Sequence, residues 1–195
     1  MDEAKSPMTR QCILEAAQRL FATHGYHGAS IRDIVQACGI SNAALYYHFE
    51  SKQNLYFEVL GEYVAAIVDR LQKADTGTGT CRSRLTRVAL AFARIILESQ
   101  NVLQTLMRDL SEFDRADIAR RLPGWSNRIP APIISILEDG IIAGQIRPVP
   151  PRHTGIILMG MVNSMAVRHL YNQVETTLEE DVDLVIHVLF EGIAI

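Results

Sequence analysis

Apolar residues recur with the period of an α-helix along nearly the whole chain. Between residues 9 and 24, Ile13, Ala17, Leu20 and Phe21 lie at i, i+4, i+7 and i+8, which is one face of a helix. No segment alternates with period 2, so the predicted fold class is all-α. Further helices are predicted at 31–38, 42–48, 51–74, 82–99, 101–112, 132–143, 152–173 and 178–193.

Two stretches interrupt this pattern. Residues 75–80, Asp-Thr-Gly-Thr-Gly-Thr, are the clearest shift in composition. Residues 113–132 contain prolines and glycines and are predicted to be irregular. We therefore expect an N-terminal domain over 8–67, joined by the long helix 51–74 to an α-helical C-terminal domain over 75–195.

Composition and charge narrow the possible classes. The 195 residues are 48% hydrophobic and 21% charged, typical of a globular chain, and there is no apolar run long enough to span a membrane. The acidic start and three scattered cysteines favour a cytoplasmic location. The net charge is -3, but residues 169–195 hold six acidic residues and no Lys or Arg. The rest of the chain is therefore mildly basic, and nucleic acid is not excluded.

The most informative segment runs from residue 30 to residue 52. A helix of about eight residues ends at Gly39 and a second begins two or three residues later, as in a helix–turn–helix unit. Gly39 allows a left-handed backbone at the turn, and Ile34, Ile40 and Leu45 face inward. Helix–glycine–helix alone is also common in plain helical bundles. Here the helix–glycine–helix pattern is accompanied by small outward-facing residues, the run Tyr-Tyr-His-Phe and a Ser-Lys pair at the start of the next helix. This combination favours DNA binding.

The polar residues of this segment fit contacts with a duplex. A recognition helix lies in the major groove with its first residues near base edges, and tyrosine, histidine and lysine donate to phosphates. We predict contacts at the starts of both helices, along the second, and at the start of the next helix. The predicted DNA-binding residues are Ser30, Arg32, Ser41, Asn42, Ala43, Ala44, Tyr46, Tyr47, His48 and Lys52.

With these residues, segment 31–57 resembles the TetR-type transcriptional regulators. The run Leu45-Tyr-Tyr-His-Phe49, Lys52 and the preceding stretch 13–30 carry the resemblance, which covers about residues 8–60. It implies a homodimeric, ligand-responsive regulator, most often a repressor, that binds a double-stranded DNA operator. Asn42 departs from relatives that carry a basic or small residue there, so the base preference is not implied.

The last two predicted helices are apolar on more than one face. One domain covers one face, and a second copy of the chain would cover the other, as the resemblance also implies. A single large monomeric core is the alternative. The predicted dimer interface comprises Ile156, Gly160, Ser164, Val167, Val182, Val185, Leu189 and Ile193.

Apolar side chains in the C-terminal half are predicted either to line a ligand cavity or to form plain core. The resemblance implies a cavity there, and methionines adapt to irregular apolar shapes. An apolar or amphipathic small molecule fits such a lining better than a sugar, nucleotide or metal. The candidate lining residues are Leu103, Met107, Leu110, Phe113, Trp125, Ile133, Leu137, Met161, Asn163 and Met165.

No residue set argues for catalysis, a metal or a cofactor. His24 and His27 have ligand-like spacing but straddle Gly25 and lack a third ligand. The Gly77-Thr-Gly79 stretch lacks the Gly-Lys-Ser/Thr of a phosphate-binding loop. We therefore expect a regulator rather than an enzyme. The alternatives are a small helical enzyme that uses the C-terminal cavity and a helical interaction module without DNA binding.

Overall fold

The computed structural model describes residues 7–171 and 174–193, without the side chains at 7, 100, 101, 103, 104, 106, 107, 192 and 193. The described residues form eleven α-helices and no strand, which confirms the all-α prediction. The first four helices are α1 (Pro7–Gly28), α2 (Ile31–Cys38), α3 (Asn42–His48) and α4 (Lys52–Ala74). The others are α5 (Cys81–Glu98), α6 (Gln100–Ser111), α7 (Arg115–Arg121), α8 (Trp125–Arg128), α9 (Ala131–Ile142), α10 (Pro151–Tyr171) and α11 (Leu178–Ile193).

The stretch predicted to be irregular contains two short helices, α7 and α8. Asp114 starts α7, because its carboxylate accepts the N–H of Ala116 at 2.6 Å. Ile118 and Leu122 lie four residues apart and are both buried, so one side of α7 packs inward. The prolines and Gly124 keep these helices short, but the helices still form.

The chain forms two compact units whose limits differ from the predicted domains. The first contains residues 1–63 and 101–125, and the second contains residues 64–100 and 126–195. The division therefore falls inside α4 rather than in the 75–80 break. Most of α6, all of α7 and the start of α8 belong to the first unit, because their apolar side chains pack on its core.

The first unit surrounds a core contributed by α1 to α4, α6 and α7. Phe21, Leu45 and Tyr56 are fully buried there, and Leu110 and Ile118 join the same cluster. Tyr26 packs edge-on to Tyr56 with ring centroids 5.1 Å apart. This core fixes the positions of α2 and α3, the predicted helix–turn–helix.

The second unit is a bundle of α5, α9, α10 and α11 together with the end of α4. Its core includes Leu85, Leu137 and Leu158, which are fully buried. The Arg84 guanidinium bridges Asp75 and Asp139, at 2.7 Å and 2.8 Å. Among the described residues, no helix has the length and apolar character needed to cross a bilayer.

Candidate nucleic-acid interface

The turn between α2 and α3 is closed by two backbone hydrogen bonds. Gly39 has φ 65° and ψ 30° and donates to the carbonyl of Gln36, and Ile40 donates to the carbonyl of Val35 at 3.0 Å. This pair of bonds is a Schellman motif. A Cβ at Gly39 would meet no atom within 4 Å, so the left-handed backbone, rather than lack of space, requires glycine. The predicted turn is therefore present, and α3 begins three residues after the glycine.

Both helices of the helix–turn–helix begin at a serine cap. Ser30 accepts the N–H of Asp33 at 3.1 Å, and the Asp33 carboxylate accepts the backbone N–H of Ser30 at 3.2 Å, which forms a capping box. The same carboxylate also accepts the Ser30 hydroxyl at 2.6 Å. These hydrogen bonds lower the pKa of Asp33. Ser41 accepts the N–H of Ala44 at 3.2 Å. The oxygens of both serines thus stabilise the helix starts, while Arg32 extends from the first turn of α2 as an exposed cation.

One face of α3 is exposed to solvent. Tyr46 and Tyr47 are 50% and 59% exposed, and Asn42 and Ala43 are exposed at the first two positions. The face offers an amide, a methyl group and two phenols, which are groups that read base edges or donate to phosphates. It is the part of the predicted DNA-binding set that the structure brings together.

Two residues of that set face the protein instead. The side chain of Ala44 is buried beside that of Leu45. The Nε2 atom of His48 is buried and makes no hydrogen bond with any described residue, and its ring lies edge-on to Tyr47 with centroids 5.1 Å apart. Positions 44, 45 and 48 share one side of a short helix, and the core of the first unit covers that side.

Lys52, the first residue of α4, lies against an aromatic ring. Its Nζ is 4.5 Å from the centroid of Tyr26, a distance at which a ring face attracts a cation. Burial lowers the pKa of Lys52, and the carboxylate of Asp109 acts in the opposite direction. A phosphate that pairs with this ammonium has to meet it beside Tyr26.

Asp109 of α6 is a buried charge that the sequence analysis missed. It is 2% exposed, and its Oδ2 accepts the N–H of Tyr26 at 2.7 Å and the hydroxyl of Tyr56 at 3.3 Å. Tyr26 precedes it by 83 positions, so no local motif joins the two. The sequence does indicate that Asp109 is buried, because this residue lies on the same apolar face of its helix as Val102 and Phe113.

The last two helices bury one apolar face and expose another. Val182, Val185 and Leu189, predicted at the dimer interface, are buried in their own unit. Leu184 and Val188, on the other side of α11, are 53% and 54% exposed. Both faces are apolar in sequence, and packing against α5 and α10 decides which one is inside.

The exposed face continues onto α10 as a groove of about 530 Å³. From the predicted interface, Gly160 and Ser164 lie in it, Ile156 is exposed nearby in sequence, and Val167 is half-buried. The side chain of Ile193 lies outside the described residues. The groove is lined by Ile157, Gly160, Met161, Ser164, Met165, Leu184, Val185 and Val188.

The predicted ligand-lining residues are distributed over the two units. Leu110, Phe113 and Trp125 pack on the core of the first unit. Ile133 and Leu137 are buried in α9 of the second unit. Helical spacing identifies an apolar face but not the core on which it packs, which is why the set is divided.

The other members of that set have separate positions. Met161 and Met165 line the groove of α10 and α11, and Asn163 is exposed. The side chains of Leu103 and Met107 lie outside the described residues. Within the described part of the chain, no group of three or more His, Cys, Asp or Glu residues is placed to hold a metal ion.

A capped helix–turn–helix whose second helix has an exposed face is typical of a DNA-binding module. Residues 13–59 match the family model described as "Bacterial regulatory proteins, tetR family". This segment is a TetR-type DNA-binding domain, as the sequence predicts.

Two characterised relatives are repressors. The transcriptional repressor AcnR of Corynebacterium glutamicum is 42% identical over 65 residues, which cover 33% of this chain and 35% of the relative. This match spans about a third of that repressor's length. The transcriptional repressor KstR2 of Mycolicibacterium smegmatis is 26% identical over 159 residues, 75% of this chain and 72% of the relative. Both relatives are regulators of transcription rather than enzymes.

The fold extends the similarity over most of the chain. The crystal structure of the regulator FadR from Bacillus subtilis in complex with stearoyl-CoA has a TM-score of 0.74. Sequence identity is 17%, and the match covers 94% of this chain and 98% of that chain. The two chains thus share a fold that includes the second unit.

Proposed function

We propose that this protein is a homodimeric transcriptional regulator, a repressor, that binds operator DNA through α3. The observation that carries the proposal is the exposed face of α3, with Asn42, Ala43, Tyr46 and Tyr47, on a capped helix–turn–helix. The face lies within the segment that matches the family model. The repressors AcnR and KstR2 support the direction of regulation.

A dimer fits both the DNA-binding module and the apolar groove on α10 and α11. Exposed Ile157, Leu184 and Val188 present apolar area to water, which a second copy would cover. A two-fold axis through the groove would bring each residue against the same surface of its partner. Two copies also present two recognition helices, as a palindromic operator requires.

The effector that fits best is an apolar or amphipathic small molecule. Support comes from FadR, a structural neighbour that was solved with stearoyl-CoA. Such a ligand releases DNA only if it binds more tightly to the conformation with misplaced recognition helices. A coupling of about 1–3 kcal/mol is enough to change DNA affinity by roughly 5–150-fold.

The test of this function is DNA binding, measured by fluorescence anisotropy. The probes are duplexes from the region upstream of the protein's own gene and shuffled duplexes of equal length. The protein should prefer an upstream duplex, and the double variant Asn42→Ala, Tyr46→Ala should lose that preference. Arg128→Ala, an exposed substitution in the second unit, is the control. Equal affinity of the wild type for all duplexes would contradict sequence-specific regulation.

A further inference from the structure

The bend at Gly25, inside α1, is built around the buried carboxylate of Asp109. Gly25 has φ 71° and ψ 179°, a conformation that residues with a Cβ rarely adopt. A Cβ there would lie 3.2 Å and 3.3 Å from the two carboxylate oxygens of Asp109. Glycine therefore permits both the backbone turn and the close approach of a carboxylate from α6.

Asp109 is held by donors from two other helices. The N–H of Tyr26 and the hydroxyl of Tyr56 converge on its Oδ2, at 2.7 Å and 3.3 Å. The Nε of Arg108 is 3.7 Å from its Oδ1. Burial raises the pKa of Tyr56, and the neighbouring Asp109 carboxylate raises it further, so the phenol remains a donor. A buried charge needs such partners, and they leave it little freedom to move.

Two predicted DNA contacts, Lys52 and Ser30, depend on the position of Tyr26, which Asp109 holds. The ring of Tyr26 supports the ammonium of Lys52 at 4.5 Å. The backbone of Tyr26 leads within four residues to Ser30, the cap of α2, and Ala29 donates to the carbonyl of Gly25 at 3.2 Å. A displacement of Tyr26 would therefore move the start of α2 and the Lys52 ammonium together.

We propose that Asp109 is a positioning residue for the DNA interface, acting through the main chain and the ring of Tyr26. This role rests on the proposed function, because it concerns the affinity for DNA. The residue lies on α6, outside the helix–turn–helix and far from it in sequence. Affinity for the operator thus depends on a carboxylate that does not touch the duplex.

The first test measures DNA affinity. Asp109→Ala removes a charge-assisted hydrogen bond and should weaken binding about tenfold. Asp109→Asn keeps an acceptor oxygen and should lose about threefold at most. Asp181→Ala is the matched control, since Asp181 is a buried carboxylate of the second unit that pairs with Arg168 at 2.8 Å. At a temperature where all variants are folded, Asp181→Ala should bind DNA like the wild type.

A double-mutant cycle separates positioning from general stability. If Asp109 acts through Tyr26 and Lys52, Asp109→Ala should cost less affinity in a Lys52→Ala background than in the wild type. Additive losses would overturn the proposal. So would equal losses for Asp109→Ala and Asp181→Ala at matched thermal stability.

Hydrogen exchange of the free protein tests the role without DNA. In Asp109→Ala, the amides of residues 26–30 should exchange faster than in the wild type, while those of α9 should be unchanged. Unchanged exchange at 26–30 would overturn the proposal even if DNA affinity falls. Failure of the wild type to bind any duplex would instead refute the proposed function, and the exchange data would still decide whether Asp109 holds the bend.

Discussion

The Nζ atom of Lys52 lies 4.5 Å from the ring centroid of Tyr26, so the first residue of α4 contacts the end of α1. Both side chains are half-buried, and burial lowers the pKa of Lys52. A cation held in one place loses less conformational entropy when a phosphate binds than a freely rotating lysine does. We therefore expect the contact to prepare Lys52 for a phosphate that approaches beside Tyr26.

Replacing Lys52 should weaken binding to all DNA sequences by a similar factor. A phosphate contact carries no base information, and its loss should reduce the salt slope of binding by about one unit per protomer. The measurement is anisotropy of specific and shuffled duplexes over a series of salt concentrations. Lys73→Ala is the control, because Lys73 is an exposed lysine at the other end of α4. An unchanged salt slope for Lys52→Ala would show that this ammonium does not meet a phosphate.

Substitutions at the start of α3 should change base preference instead. Asn42 and Ala43 are exposed at the positions that a recognition helix directs to base edges. We expect Asn42→Ala to alter the ranking of single-base operator variants, by about 1–3 kcal/mol at one position. Tyr46→Phe removes only a hydroxyl and should weaken all duplexes alike. Competition binding with a library of operator variants measures both effects, and an unaltered ranking for Asn42→Ala would refute base readout by this residue.

A charge placed in the groove of α10 and α11 should prevent dimerisation. Val188→Asp would leave a carboxylate in an apolar interface, which should raise the dimer dissociation constant at least about tenfold. Sedimentation velocity at micromolar concentration is the measurement. Ile142→Asp serves as control, because Ile142 is an exposed apolar residue at the end of α9, away from the groove-lining set. Equal sedimentation of wild type and Val188→Asp would place the interface elsewhere.

The second unit should lose stability in acid through Asp75. Hydrogen bonds from the Arg84 guanidinium lower the pKa of Asp75. A carboxyl whose pKa is lower in the folded state stabilises the fold above its ordinary pKa of about 3.9, and this contribution is lost as the pH falls through the folded-state value. Asp75→Asn should therefore be less stable than the wild type at neutral pH, and it should lose less stability as the pH falls below about 4.

Urea unfolding at a series of pH values measures this effect. Asp69→Asn is the control, since Asp69 pairs with Lys73 on the exposed side of α4, where an ion pair contributes little. The same pH dependence in Asp75→Asn and wild type would show that the Arg84 pair does not stabilise the unit.

An amphipathic effector should release DNA, and Trp125 offers a probe of the first unit. Trp125 is the single tryptophan and packs on the core that also holds Asp109. Long-chain acyl-CoA, aromatic and cationic amphiphiles should be titrated while Trp125 emission and DNA release are recorded together. We expect release and an emission change at the same ligand concentration. Release by hydrophilic compounds alone, with all amphiphiles inert, would refute the proposed effector class.

The starts and ends of α2 and α3 follow from the sequence alone. Ser30 and Ser41 satisfy backbone donors at the helix starts, and Gly39 supplies the one left-handed residue between them. These interactions span three or four residues, so the residue order contains all the information they need. For the same reason the sequence was sufficient to identify the class of protein.

Tertiary structure decided which of several apolar faces meets which core. Val185 and Val188 of α11 are similar in sequence, but α5 and α10 cover only the first. Trp125 and Leu110 were predicted to line a C-terminal cavity but pack on the first unit. Periodicity reports the direction of a side chain relative to its own helix and contains no information about the neighbouring helix.

The contact between Asp109 and Tyr26, in the candidate site, could not be predicted from the sequence for the same reason. A buried carboxylate is stable only where donors from other helices converge on it, and here they come from positions 26 and 56. Their convergence depends on how α1, α4 and α6 pack together, and that packing is determined by the whole core of the first unit. The sequence by itself therefore determined the helix–turn–helix, and only the tertiary structure decided what holds it in place.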